Sequence, residues 1–111
     1  MRQLIIRDAQ MRAFGRARWE AFVTAITERA REEVSEVRGV SHDALRSLLA
    51  SSAADASAYG FIDTEHVERF CLAAARLGAS PATLPDLRDV VADFTVAPGA
   101  RLEAIERAAE A

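Results

Sequence analysis

The chain predicts an all-α fold: one compact bundle of three longer and two short helices, with a short extended N-terminal lead-in, forming a single domain over residues 1–111. Three observations carry this expectation. Apolar residues recur at three- and four-residue spacing between Gly and Pro stops, the rhythm of one helix face. Asp8, Ser41 and Asp63 or Thr64 stand where helices would open and could cap free backbone N–H groups. Only Leu4-Ile5-Ile6 reads as a β-type run, and a lone strand would have no partner, so Met1–Arg7 is expected to lie extended against the bundle.

The best-specified stretch is Tyr59–Gly78, YGFIDTEHVERFCLAAARLG. Tyr59-Gly60 closes one helix, and Asp63-Thr64 opens the next. Glu65 lies near the positive end of the macrodipole and Arg76 near the negative end. Val67, Phe70, Cys71, Ala74 and Leu77 form its apolar stripe; Gly78 supplies a left-handed stop and Pro81 prevents an early restart.

The first long helix is expected from Asp8, with Met11, Trp19, Phe22, Val23, Ile26 and Ala30 on one wide face, Phe14 on its flank and Gly15 within it. Helical character continues to Gly39, with a break or bend in the last part. Ser41 caps the second helix, whose buried side is Leu45, Leu48, Leu49, Ala53 and Ala56. Its small residues would either pack tightly on another helix or stay loose. After a loop at Ala79–Thr83, Pro85 is placed to start a short fourth helix with Leu87, Val90, Val91 and Phe94 as its apolar set. Pro98-Gly99 marks a turn, and Arg101–Ala111 forms the last helix through Leu102 and Ile105.

At 111 residues the chain is long enough for one core, burying on the order of 65% of its extended surface. No apolar run approaches the ~18 residues that span a bilayer, so no membrane partner is expected. Leu4-Ile5-Ile6 is too short for a secretory signal before Arg7-Asp8, and cytoplasmic folding is the expectation. All 14 basic residues are arginine, and alanine is abundant, the usage expected of a GC-rich bacterial coding sequence. Residues 1–31 hold seven Arg against three acids, and residues 32–111 seven against fourteen, so a basic start precedes an acidic remainder.

No cofactor or metal site is expected. His42, His66 and Cys71 are the only imidazole or thiol ligands, and the five-residue step from His66 to Cys71 misses the i, i+4 spacing of a helical ligand pair. Cys71 sits on the apolar stripe and reads as a small buried hydrophobe. Glu65 with Glu68, and Asp86 with Asp89 and Asp93, lie one turn apart, but carboxylates become acid–base catalysts only where a pocket separates their pKa values. Ser41-His42-Asp43 are consecutive at a helix start, so their side chains diverge and capping explains them. No enzyme activity is expected.

Two binding readings remain. The alternative is a small nucleic-acid-binding regulator: Arg2, Arg7, Arg12, Arg16 and Arg18 form the basic cluster that phosphate contact would need, although no helix rich in base-reading residues accompanies it. Protein binding fits better: the split charge can steer a charged partner or promote self-association, and Trp19 and Tyr59 are aromatic types favoured at interface hot spots. The candidate partner-binding residues are Arg12, Arg16, Trp19 and Tyr59.

The series ARWEAFVTAI, LRSLL, YGFIDTEHVERFCLAAARLG, LPDLRDVVADF and APGARLEAIERAAEA resembles a group of small helical bacterial proteins encoded beside type VI secretion effectors and PAAR-type spike genes. In that group a Tyr-Gly, a Thr-Glu-like helix start, a Phe and a closing Leu-Gly recur; here these are Tyr59-Gly60, Thr64-Glu65, Phe70 and Leu77-Gly78. The aromatic and acidic tail that often follows Leu-Gly there is replaced here by Ala79-Ser80-Pro81-Ala82. The resemblance implies a non-enzymatic accessory, such as an adaptor, chaperone or neutralising partner of a secreted effector, and it transfers no catalytic residues.

Overall fold

The computed structural model describes the backbone of residues 2–111 and the side chains from residue 15 onward. Five α-helices follow one another: α1 (Arg2–Glu33), α2 (His42–Ala58), α3 (Thr64–Leu77), α4 (Arg88–Ala92) and α5 (Pro98–Glu110), with 3-10 turns at Ser35–Val37 and Pro81–Thr83. The described residues contain no strand.

Helix α3 is the central element, packed chiefly on α2 and α5, while α1 lies mainly on α2. Its ends form as the residues dictate. The Asp63 carboxylate accepts the Glu65 N–H at 3.0 Å, and the chain leaves at Gly78 with φ 76° while its N–H donates to the Ala74 carbonyl at 2.8 Å. Phe70 and Cys71 of this helix are fully buried, as are Leu45 and Leu49 of α2 and Leu102 and Ile105 of α5.

The small residues of α2 settle into tight packing. Ser52, Ala53 and Ala56 are fully buried opposite a helix that buries Ala73, Ala74 and Ala75. Short side chains on both helices bring the backbones close enough for the Cys71 thiol to reach the Leu49 carbonyl at 3.7 Å. Ser52 donates back to the Leu48 carbonyl, so the hydroxyl is satisfied within its own helix.

Several expectations need correction. The extended lead-in is absent: α1 is already helical at Arg2 and runs through Asp8, which is therefore interior and not a cap. Residues 2–14 contain neither Pro nor Gly, so nothing in their backbone chemistry stops a helix that the bundle anchors further on. The break placed between Arg31 and Gly39 falls after Glu33, where Val34 turns extended; Val34 and Val37 still reach the core, through a 3-10 turn. Arg31 fastens that turn by donating to the carbonyls of Val37 and Val40.

Helix α4 begins at Arg88, because Pro85 sits in a preceding turn and is not the helix start. Helix α5 begins earlier than expected, with Pro98 itself in the first turn, where its missing N–H costs nothing. Phe94, expected in the apolar set of α4, lies beyond the helix end and is 65% exposed. The Asp93 carboxylate turns the chain there by accepting both the N–H and the hydroxyl of Thr95, and those bonds hold it below the usual aspartate range.

Candidate protein-binding corner

The α2–α3 connection is built on one glycine. Tyr59 ends α2, Gly60 takes φ 89°, and the N–H of Phe61 donates back to the Ala56 carbonyl at 2.9 Å while that of Gly60 reaches Ser57. This double return is the Schellman arrangement, and it needs a residue without Cβ strain at the left-handed position. The reversal sends Phe61 inward, fully buried with its ring 5.3 Å from that of Phe70. Ile62 is sent outward and is 89% exposed.

Arg101 locks this corner to the C-terminal third of the chain. Its side chain is 3% exposed. The guanidinium donates to three backbone carbonyls: Val96 at 3.0 Å, Tyr59 at 2.9 Å and Val91 at 2.6 Å. It also lies 4.6 Å from the centroid of Phe61 and 5.3 Å from that of Phe94. One side chain thereby ties together the ends of α2 and α4 and the start of α5. Arg101 was not singled out from the sequence. A signal was present: it is a cation in a first turn, where the dipole disfavours one, and it stands four residues before Ile105 on the buried stripe.

The outer surface of the corner exposes two large apolar side chains, Ile62 and Phe94, beside polar Ser57, Asp63, Thr64 and Glu65. Phe94 rests on Tyr59, ring centroids 6.3 Å apart and planes inclined by 26°. Ile62 borders an open groove of about 250 Å3 whose walls are Gly15, Arg18, Trp19 and Phe22 of α1 with Ser57, Thr64 and Val67. Trp19 and Phe22 are half-buried, one side against the core and the other on the groove.

The four candidate binding residues are thus divided. Trp19 lines the groove and Tyr59 the adjoining ledge under Phe94. Arg16 is exposed one turn from Trp19, and the side chain of Arg12 lies outside the described residues, as do those of Arg2 and Arg7. Ile62 and Phe94 were missed as exposed groups because both read as ordinary core-type residues.

Other ionisable groups are engaged in joining helices. Arg29 binds Glu33 and, across to α3, Glu68 at 2.8 Å; Arg46 binds Glu20 and Thr24; Arg69 holds Glu106 through two nitrogens at 3.0 and 2.5 Å. Glu68 is therefore an interhelical partner. Ser41 accepts the Ala44 N–H in its cap, and His42 is exposed beside it. Burial pushes the Cys71 thiol up to about 12, with a smaller contribution from the charge of Glu68. Among the described residues no group of three His, Cys, Asp or Glu is placed to hold a metal ion, and no helix is long and apolar enough to cross a membrane.

No protein-family model matches the chain, and neither a curated protein nor a solved structure does so.

Proposed function

We propose that the chain is a non-enzymatic, cytoplasmic protein-binding module that works by holding another protein against its α2–α3 corner. The observation that carries this reading is the exposure of two large apolar side chains, Ile62 and Phe94, on a corner whose backbone is rigidly fixed. Covering an aliphatic and an aromatic group with a partner would contribute roughly 1.5–3 kcal/mol for each side chain fully buried. Trp19 and Tyr59 beside them add the aromatic area that interface hot spots use. The resemblance of the Tyr59–Gly78 block to accessories of type VI secretion effectors supports an adaptor, chaperone or neutralising role, with an effector or spike component as the partner.

A tagged pull-down from the native host at moderate salt, read by mass spectrometry, tests the reading. Stoichiometric recovery of one secretion-associated protein is the expected result. Recovery of nucleic acid in place of protein would overturn it and favour the arginine cluster as a phosphate-binding surface.

A further inference from the structure

Arg101 is a buried cation whose donors are only partly used. A guanidinium carries one N–H on Nε and two on each terminal nitrogen. Nε gives its hydrogen to Val96, and Nη1 gives one each to Tyr59 and Val91. The pair on Nη2 has no acceptor among the described residues. No side-chain nitrogen sealed from solvent is left in that condition, so Nη2 opens to the surface. No ion pair within the described residues reaches Arg101. Asp93 is near enough to feel its charge, but the Oδ1 of Asp93 accepts both the N–H and the hydroxyl of Thr95.

Gly60 makes the opening. The left-handed turn requires this glycine, and its bare backbone leaves a window over the guanidinium. A Cβ there would stand 3.8 Å from Nη2 and 3.4 Å from the Phe94 ring. Phe94 flanks the window on one side, and the chain leads through Phe61 to exposed Ile62 on the other. A protein segment that covers both apolar groups therefore passes over Gly60 and seals Nη2 from water. Two N–H groups of a charged side chain would then be buried without acceptors, which costs more than the apolar contact gains unless the segment supplies one.

We propose that the segment seated on this corner carries an acidic side chain between apolar residues, and that its carboxylate lies over Gly60 and accepts from Nη2 of Arg101. The inference rests on the corner being a protein-binding surface and names the chemistry that the surface reads. A carboxylate fits better than a neutral acceptor on two counts. It balances a buried charge that carbonyl groups only solvate, and a hydrogen bond between ionised groups is about twice as strong as a neutral one. The acid sits within the segment and not at its end, because the chain must continue on both sides of the window to reach Phe94 and Ile62.

Two capped peptides, acetyl-Leu-Glu-Leu-amide and acetyl-Leu-Gln-Leu-amide, test this by titration to about 10 mM into the 15N-labelled full chain at constant ionic strength. The signals to follow are the backbone amides of Gly60 and Ile62 and the Nε–H of Arg101. The glutamate peptide should move all three saturably, and the glutamine peptide should bind at least about tenfold more weakly. Equal binding of the two would assign the window to a neutral acceptor and overturn the proposal. Shifts centred on Arg16 with Gly60 unmoved, or no binding of either peptide, would overturn it as well. Capture from the native host separates these failures from that of the underlying reading. One protein still retained by wild type would keep the protein-binding corner without its carboxylate, and none retained would overturn both.

Discussion

The guanidinium of Arg101 donates to the carbonyl of Tyr59 at 2.9 Å across 42 residues of sequence, and this bond joins the start of the last helix to the end of the second. Buried arginines are usually matched by a carboxylate. Here the hydrogen-bond partners are the carbonyls of Tyr59, Val91 and Val96, with Phe61 and Phe94 on the faces of the cation. The arrangement fixes the backbone from which Ile62 and Phe94 project, so the stability of the fold and the shape of the proposed binding corner depend on the same side chain.

Arg101→Ala should therefore destabilise the fold by on the order of 3 kcal/mol, because it leaves carbonyls without donors and opens a cavity. Urea unfolding followed by circular dichroism measures it. Arg101→Lys should recover less than half of the loss, since an ammonium is a point donor that cannot span the three carbonyls. A lysine variant as stable as wild type would show that charge alone, without the planar fork, holds the corner.

Glycine substitutions should separate by backbone conformation. Gly60→Ala and Gly78→Ala force a side chain into the left-handed region, at φ 89° and 76°, and should each cost roughly 1–2 kcal/mol. A Cβ at Gly60 would lie 3.4 Å from the ring of Phe94, a side chain 65% exposed and free to yield, so the two costs should be similar. Gly39→Ala has open space and no positive φ, and should be neutral or stabilising by about 0.5 kcal/mol. Thermal melts of the three variants give the order directly.

The Cys71 thiol should resist labelling in the folded protein. A pKa pushed to about 12 lowers the thiolate fraction near neutrality by about a thousandfold relative to a thiol at its ordinary value of 9.0, before access is considered. Labelling by a disulfide reagent should follow unfolding, rising with urea along the same transition as the circular dichroism. Prompt labelling in buffer would contradict the packing of α2 on α3.

Acid should weaken the seam between α3 and α5. The paired hydrogen bonds from Arg69 hold the Glu106 carboxyl below its ordinary value of 4.5. A carboxyl lowered in the folded state contributes stability that is fully present above the unfolded value and is lost as pH falls through the folded one. Both side chains are about one-third exposed, so solvent screening limits the effect to about 0.5–1 kcal/mol. Wild type minus Glu106→Gln, measured in urea between about pH 7 and pH 3, should show that difference at neutrality and lose it in acid. A difference that does not change with pH would place the role of Glu106 in packing.

The legible part of this fold was the part written in local chemistry. The caps at Ser41 and Asp63, the stop at Gly78 and the stripe of Val67, Phe70 and Cys71 each need only a few neighbouring residues to be recognised, and all stand where the sequence placed them. The tightness of the α2–α3 contact was left open because small faces acquire meaning only from the helix opposite. Phe94 was misplaced for a related reason: an apolar residue one turn past Val90 fits the helical rhythm, and only the Asp93–Thr95 turn removes it from that face. Arg101 was illegible as a clasp because its three acceptors are backbone carbonyls, which carry no residue identity. Of the proposed binding surface, Trp19 and Tyr59 were visible from residue type, whereas Ile62 and Phe94 required the course of the chain.

The central claim is that the α2–α3 corner holds another protein. Side-by-side captures from the native host with tagged wild type and an Ile62→Asp, Phe94→Asp double variant test it most directly, once matching circular dichroism shows both to be folded. The account predicts that wild type retains one stoichiometric protein partner at both about 0.15 M and about 0.5 M salt, and that the variant loses it. The same partner held equally by the variant, or nucleic acid released from wild type at the higher salt, would contradict it.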